Sequence, residues 1–242
     1  MKRIKRFLKY GLLLILIVGI GVLQSFSNRK NERKIVSEIA VDFGGQNPYF
    51  LSQAMVNKLL IQNGEPLTNQ AKSELDLHNL ESKVTENSYV DAASVFMTIT
   101  GELKTTVVEK KPIARFIALD SSFYIDSKGF RMPLSDHFTP RVILVSGAEN
   151  TDDVIEMTPL LNTIYADDFL KKELIGVELK KDKEIEFKVR SGDYSIKFGR
   201  LNDIDIKFNK LKAFYNKSFN EEIMRNYKNI NLKYHNQVVC AK

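Results

Sequence analysis

The chain has 242 residues, of which 43% are hydrophobic and 27% are charged, and its formal net charge is +6. This composition is typical of folded protein and excludes the collagen-like, low-complexity and disordered classes. The single cysteine, Cys240, excludes an internal disulfide and a cysteine metal cluster.

The positive charge is concentrated near the start of the chain. Residues 1–34 contain nine Lys or Arg residues and one acid, Glu32, whereas the other residues contain 27 Lys or Arg and 29 acids. A nucleic-acid-binding domain needs its cations on a folded face. Cations that flank an apolar segment instead indicate charge at a membrane surface.

That apolar segment has the length of a membrane-spanning helix. As a helix, residues 7–26 would rise about 30 Å, the thickness of a hydrocarbon core. We therefore predict a cytoplasmic tail at residues 1–6, a transmembrane helix at residues 7–26, and the rest of the chain outside the cytoplasm. The alternative is a removed signal peptide, which the small residues Ser25 and Ser27 would suit.

Residues 35–111 carry strand and helix patterns that predict a small α+β module. The predicted elements are a strand at 35–45, a helix at 51–62, a second helix capped by Ser73, and strands at 89–99 and 103–110 joined at Gly101. The predicted order is therefore strand, helix, helix, strand, strand.

The chain beyond Lys110, Lys111 and Pro112 is predicted to be rich in antiparallel β-structure. Its clearest signal lies at 184–198, where apolar and polar residues alternate on both sides of a Ser-Gly-Asp turn, which indicates a half-buried hairpin. The other predicted elements are a hairpin at 113–126, a strand at 142–145, a helix capped by Thr151 with Ile155, Leu161, Ile164 and Tyr165 on its buried face, a helix at 201–216 and a C-terminal strand.

No catalytic or metal-binding pattern is present in the sequence. It lacks the GxSxG, Walker, GxGxxG and HExxH motifs, and its three histidines lie far apart. The adjacent acids of Asp152-Asp153 and Asp167-Asp168 would point in different directions on a helix, so they indicate dipole and surface charges. We predict no catalytic residue, no metal site and no cofactor. The C-terminal strand could accept a partner strand if it lies at a sheet edge, and the alternative is a strand that is internal or blunted.

Three short segments carry a resemblance to a known family. The first, EKKPIA at 109–114, is similar to an E-[KR]-x-P-x-A junction between two domains. The second, at 191–200 with Lys210-Leu211 after it, resembles a hairpin, glycine and helix segment. The third, INLKYHN at 230–236, resembles a D-L-R-Y-x-N-G stretch, from which Asn231, Lys233 and Gln237 depart. In this order and spacing, the segments resemble those of the FtsQ/DivIB family of bacterial cell-division proteins.

The resemblance implies an α+β fold class with one N-terminal transmembrane helix. It further implies a POTRA-like βααββ domain at 35–111 and a β-rich antiparallel domain with flanking helices at 112–242. It implies a non-enzymatic scaffold of the division machinery. Such a scaffold docks small single-pass coiled-coil proteins of the FtsB/DivIC and FtsL type and helps to control septal peptidoglycan synthesis. Its POTRA domain could contact other division proteins.

The resemblance also implies a docking edge around the Tyr of the third segment and the strand after it. By position, the partner-binding residues are Leu232, Lys233, Tyr234, His235, Asn236, Gln237, Val238 and Val239. Two other classes of function stay open. One is a POTRA-bearing adaptor of envelope protein transport, and the other is a membrane-tethered enzyme of unfamiliar type, which would need a pocket with convergent polar groups.

Overall fold

A computed structural model describes residues 11, 14–27, 34–44, 47–61, 67–118, 121–218, 227–235 and 237–242. The chain divides into two compact units, with the division between Glu109 and Lys110. Each unit contains its own cluster of buried hydrophobic residues.

The transmembrane helix predicted at residues 7–26 is wrong. No helix within the described part of the chain is both long and apolar enough to cross a membrane. The predicted tail at 1–6 and residues 7–10, 12 and 13 of the predicted helix lie outside the described residues.

Within the described residues from 34 to 109, the first unit contains a three-stranded sheet and two α-helices. Its elements are β1 (Glu38–Asp42), α1 (Gln53–Leu59), a 3₁₀ helix (Lys72–Glu74), α2 (Leu77–Thr85), β2 (Val90–Met97) and β3 (Glu102–Glu109). The predicted order of strand, helix, helix, strand, strand is confirmed. In the sheet, β3 lies in the middle, parallel to β1 and antiparallel to β2. The turn between β2 and β3 contains Gly101, whose φ of 93° favours glycine.

The start of α2 differs from its prediction. Ser73 lies inside the 3₁₀ helix, and the side chain of Asp76 caps α2 by accepting a hydrogen bond from the backbone N–H of Asn79. Both Ser and Asp suit an N-cap, so the local pattern could not distinguish the two positions. From α2, Leu80 and Val84 are fully buried against Leu103 and Val107 of β3, which forms the core of this unit.

The second unit contains a nine-stranded sheet and three α-helices. Its elements are β4 (Pro112–Ile117), β5 (Ser122–Asp126), β6 (Arg131–Met132), β7 (Ile143–Ser146), α3 (Thr151–Ala166), α4 (Asp168–Glu173), β8 (Leu174–Leu179), β9 (Ile185–Val189), β10 (Ser195–Gly199), α5 (Ile204–Ser218), β11 (Asn229–Asn231) and β12 (Val239–Ala241). The strand order is β12-β11-β10-β9-β8-β7-β4-β5-β6. The predicted hairpins at 113–126 and 184–198 are confirmed, since β5 pairs with β4 and β10 with β9, both antiparallel.

The sheet is mixed, because helices connect two of its parallel pairs. β7 runs parallel to β8 through α3 and α4, and β10 runs parallel to β11 through α5. The helices share one core with the sheet, in which Met157 and Leu211 pack among Val145, Phe187 and Phe198. The last helix therefore lies over the strands that precede the C-terminal edge, and this is what positions the candidate site.

Two details of α3 differ from the prediction. Asn150 caps the helix, and its capping box includes Asp153, so Thr151 is the first helical residue and not the cap. Ile155 is 61% exposed, whereas Leu161 and Ile164 are buried as predicted. The central strand β8 was absent from the sequence analysis, because its sequence LIGVEL shows no alternation that would distinguish a buried strand from a helix segment.

Candidate docking edge

The C-terminal strand lies at one edge of the nine-stranded sheet. β12 pairs antiparallel with β11, with Val239 opposite Asn231, Cys240 opposite Ile230 and Ala241 opposite Asn229. No strand among the described residues pairs with the other side of β12. Because the N–H and C=O groups of a strand point alternately to its two sides, some of those of β12 are open to an added strand.

The edge is attached to the core through β11. Ile230 and Leu232 are fully buried, and the N–H of Leu232 donates to the carbonyl of Lys197 in β10 at 2.9 Å. The Cys240 thiol packs against the same core, and burial raises its pKa. Because the thiolate is the reactive form of cysteine, this burial makes Cys240 less reactive and favours a structural role.

Between β11 and β12, the chain presents polar and aromatic side chains to solvent. Tyr234 is 49% exposed, and His235 and Gln237 are also exposed. Val238 packs partly against the core, and Val239 is 39% exposed. The predicted docking residue Asn236 lies outside the described residues.

Helix α5 supports this connection through one lysine. Lys210 donates from its Nζ to the carbonyl oxygens of Leu232 at 3.0 Å and Tyr234 at 2.5 Å. The helix is itself held on the sheet by Phe208, Leu211 and Tyr215, whose spacing places them on one buried face. The ammonium thus satisfies two carbonyl groups and fixes the start of the connection.

A second lysine of α5 is buried against the segment between β10 and α5. Lys207 is 5% exposed, and its Nζ donates to the carbonyl of Arg200 and to Oδ1 of Asn202, both at 2.8 Å. Its ammonium also lies 4.7 Å from the centroid of the Phe198 ring. Loss of solvent lowers the pKa of Lys207, although the hydrogen bonds and the ring face compensate for part of the cost of burying the charge.

These residues line a pocket of about 300 Å³ next to the connection. Its charged lining consists of Glu184, Arg200, Asp203, Lys207, Lys210 and Lys233. The Lys233 Nζ pairs with both oxygens of Glu184, at 2.8 and 2.6 Å. With four cations and two carboxylates, the pocket favours an acidic group over a basic one.

The structure brings most of the predicted docking residues together around one edge of the sheet. Only some of them are exposed to solvent, where a partner could contact them. Leu232 is a core residue, Lys233 is in an ion pair, and Tyr234, His235 and Gln237 are available at the surface. No pattern in the sequence had assigned a role to Lys207, Lys210 or Glu184. The spacing of three between Lys207 and Lys210 was a possible signal, because it places both on one face of α5.

The described residues contain no arrangement that suggests a metal centre. No group of three or more His, Cys, Asp or Glu side chains within them could hold a metal ion. Asp153 belongs to the capping box of α3 and pairs with Lys183, and Asp167 caps α4 and pairs with Lys212. One acid of each adjacent pair noted in the sequence thus has a structural partner.

Comparison with known proteins identifies a family. A family model described as "FtsQ/DivIB, C-terminal related" matches residues 111–241, which is more than half of the chain. Among solved structures, the major extracytoplasmic domain of the trans isomer of the bacterial cell division protein DivIB from Geobacillus stearothermophilus is similar, with a TM-score of 0.27 and 17% identity over 34% of this chain and 71% of that chain. No curated protein matches the chain. The family resemblance read from the sequence is confirmed by the match over β4 to β12, and the chain belongs to the FtsQ/DivIB family.

Proposed function

We propose that the protein is a non-enzymatic scaffold of the bacterial division machinery, which docks a partner protein on the edge strand β12. Membership of the FtsQ/DivIB family supports a role in division. The observation that carries the docking proposal is the open outer side of β12 within the described residues. The partners we propose are small coiled-coil division proteins of the FtsB/DivIC and FtsL type.

Docking would extend the sheet by one strand. A partner strand beside β12 would bond to its outward N–H and C=O groups, which gives affinity without dependence on sequence. Specificity would come from the side chains that flank the edge. Tyr234 offers a half-exposed ring, and the neighbouring pocket, with Arg200 and Lys207 in its lining, favours an acidic side chain of the partner.

The remaining parts of the proposal concern the setting of the scaffold. We place both folded units outside the cytoplasm, and we assign the first unit to the POTRA type because its elements have the order βααββ. Through its coiled-coil partners, the protein would help to control septal peptidoglycan synthesis. The first unit would be available to other division proteins.

A proline substitution in β12 tests the docking edge. Proline lacks an N–H, so Cys240→Pro either removes a donor for the partner or detaches the edge strand from β11. We expect the full chain with Cys240→Pro to lose at least tenfold in affinity for purified FtsB/DivIC-type and FtsL-type proteins of the same organism. Tyr234→Ala should weaken binding by a smaller factor and leave the fold unchanged.

The matched control is Arg131→Pro in β6, which lies at the opposite edge of the same sheet. This variant should bind as the wild type does. Binding can be measured by surface plasmon resonance, with circular dichroism to verify the fold of each variant. If Cys240→Pro and Tyr234→Ala both bind with wild-type affinity, the partner does not dock on β12.

A further inference from the structure

The second unit contains another pocket, at the end of the sheet where β4, β7 and β8 begin. It encloses about 300 Å³. Its floor is apolar, with Ile113, Ile143 and Leu174 almost fully buried. Two of its wall residues stay in contact with solvent, because Leu144 is 44% and Ile175 is 41% exposed. The pocket therefore combines a preformed apolar floor with apolar side chains that an occupant could cover.

The charged residues that line this pocket are all cations. Arg141, Lys171 and Arg190 are exposed, and no Asp or Glu is among the lining residues. Lys171 lies over the ring of Tyr165, with its Nζ 3.9 Å from the ring centroid. The guanidinium groups of Arg141 and Arg190 form no ion pair with any described residue.

Four lysines elsewhere in the unit, in contrast, face carboxylates. The lysines in ion pairs there are Lys180 with Glu178, Lys183 with Asp153, Lys212 with Asp167 and Lys233 with Glu184. The charged side chains that line the pocket are therefore all positive, and the lining favours an acidic occupant.

We propose that this pocket docks a peptide segment of a partner protein in which apolar side chains adjoin carboxylates. The volume suits about two apolar side chains, at the lower end of the range for ligand pockets. Three cations on the rim complement carboxylates on both sides of such an anchor. Apolar burial provides the affinity, and the charges select against basic and neutral segments.

The proposal is independent of docking at β12. In the sheet, β9, β10 and β11 lie between β8 and β12. At about 4.8 Å between neighbouring strands, β8 and β12 are about 19 Å apart. A peptide in the pocket therefore leaves β12 open, and the unit could hold two different segments at once.

The test uses a fluorescein-labelled twelve-residue peptide in which Leu-Phe pairs alternate with Asp-Glu pairs. Two matched peptides replace either the acids by Asn and Gln or the apolar residues by Ser. Binding to the full chain is followed by fluorescence anisotropy. We expect saturable binding of the first peptide, and at least tenfold weaker binding of the other two. The affinity should also fall as salt is raised, because the rim is exposed.

Charge reversal locates the binding site. Lys171→Glu and Arg190→Glu should each weaken binding by about tenfold. The controls are Lys172→Glu, the next residue of α4, and Lys188→Glu, two residues earlier in β9, because both are exposed cations outside the lining. These controls should bind the peptide as the wild type does. Cys240→Pro should also bind the peptide normally, so its effect on partner affinity at β12 is tested separately from this pocket.

Three outcomes would overturn the proposal. Equal binding of the Ser-containing acidic peptide would show that charge alone is recognised. Equal losses in the rim variants and their controls would place the peptide elsewhere. Preferential and rim-dependent binding of phosphatidylglycerol vesicles, with no peptide binding, would identify a lipid surface as the occupant.

Discussion

At the scale of single residues, Glu109 explains why an acid stands in the EKKPIA segment. Its carboxylate accepts hydrogen bonds from three successive backbone N–H groups, those of Tyr49 at 2.8 Å, Phe50 at 3.0 Å and Leu51 at 2.7 Å. These groups precede α1 and belong to the same unit as Glu109. The last residue of β3 thus fixes the approach to the first helix, which the short motif alone did not reveal.

Glu109→Ala should lower the free energy of unfolding of the first unit by about 2–3 kcal/mol, because it leaves these three N–H groups without their acceptor. Urea unfolding followed by circular dichroism measures the change. Glu102→Ala, on the same strand, is the control and should change stability by less than about 0.5 kcal/mol. A similar loss in both variants would mean that strand propensity, and not the carboxylate, is responsible.

A substitution of Thr105 should raise the free energy of unfolding, in contrast to Glu109→Ala. The Thr105 side chain is fully buried in β3, and its Oγ1 has no hydrogen-bond partner among the described residues. Thr105→Val keeps the shape and removes the unsatisfied hydroxyl, so it should raise the free energy of unfolding by about 1 kcal/mol. The midpoint of urea unfolding should move upward. A destabilised variant would show that the hydroxyl bonds to water.

At the scale of elements, a polar cluster fastens α5 to the sheet. The hydroxyl of Tyr215 in α5 lies 2.6 Å from that of Tyr194 and donates to Oε1 of Glu173 at 3.0 Å. Ser191 completes the cluster through Glu173 and Tyr194. Burial raises the pKa of Tyr215, so the phenol stays protonated and remains a donor. Since α5 carries Lys210, this cluster also supports the docking edge.

Tyr215→Phe removes one hydroxyl from this cluster and keeps the packing of the ring against Phe169. We expect a loss of about 1–2 kcal/mol in the free energy of unfolding, because Glu173 and Tyr194 lose a buried partner. Chemical denaturation of the full chain measures this loss. Phe214→Leu, a change at the partly buried neighbour in α5, controls for the general tolerance of the helix. If Tyr215→Phe is as stable as the wild type, the Tyr215 hydroxyl contributes nothing to the free energy of unfolding.

At the scale of the whole molecule, ion pairs at helix starts make stability depend on pH. The Lys183 ammonium, with support from the N–H groups of Glu149 and Asn150, holds the pKa of the Asp153 carboxyl below its usual range. Lys212, with the N–H groups of Leu170 and Phe169, does the same for the pKa of Asp167. Both carboxyls are therefore easier to ionise in the folded protein than in the unfolded chain.

A lowered pKa in the folded state stabilises the protein at pH values above the unfolded pKa, which is about 3.9 for Asp. This contribution should disappear as the pH falls below that value and through the folded pKa of each group. We expect the thermal midpoint to be steady near neutral pH and to drop below about pH 4. In the double variant Asp153→Asn, Asp167→Asn, the midpoint should be lower at pH 7 and should fall less on acidification. An equally steep drop would assign the acid sensitivity to other groups.

The elements that were predicted correctly are those whose information is local. The hairpin at 184–198 followed from alternation within each strand, and the helix at 201–216 from apolar spacing, and both patterns arise within a few residues. The N-cap positions of the helices were predicted less accurately, because neighbouring Ser, Thr, Asn and Asp residues can all cap a helix. The transmembrane prediction used length, hydropathy and flanking charge, and no described helix is both long and apolar enough to cross a membrane.

The sequence by itself determined the family, the α+β character of the two units and the approximate position of the C-terminal strand. Only the tertiary structure decided that β12 is an edge, that Lys210 reaches the carbonyl of Leu232, and that Arg141, Lys171 and Arg190 line one pocket. Strand order and these contacts join residues that lie tens of positions apart. Local patterns do not contain that information, because it depends on how the whole core packs.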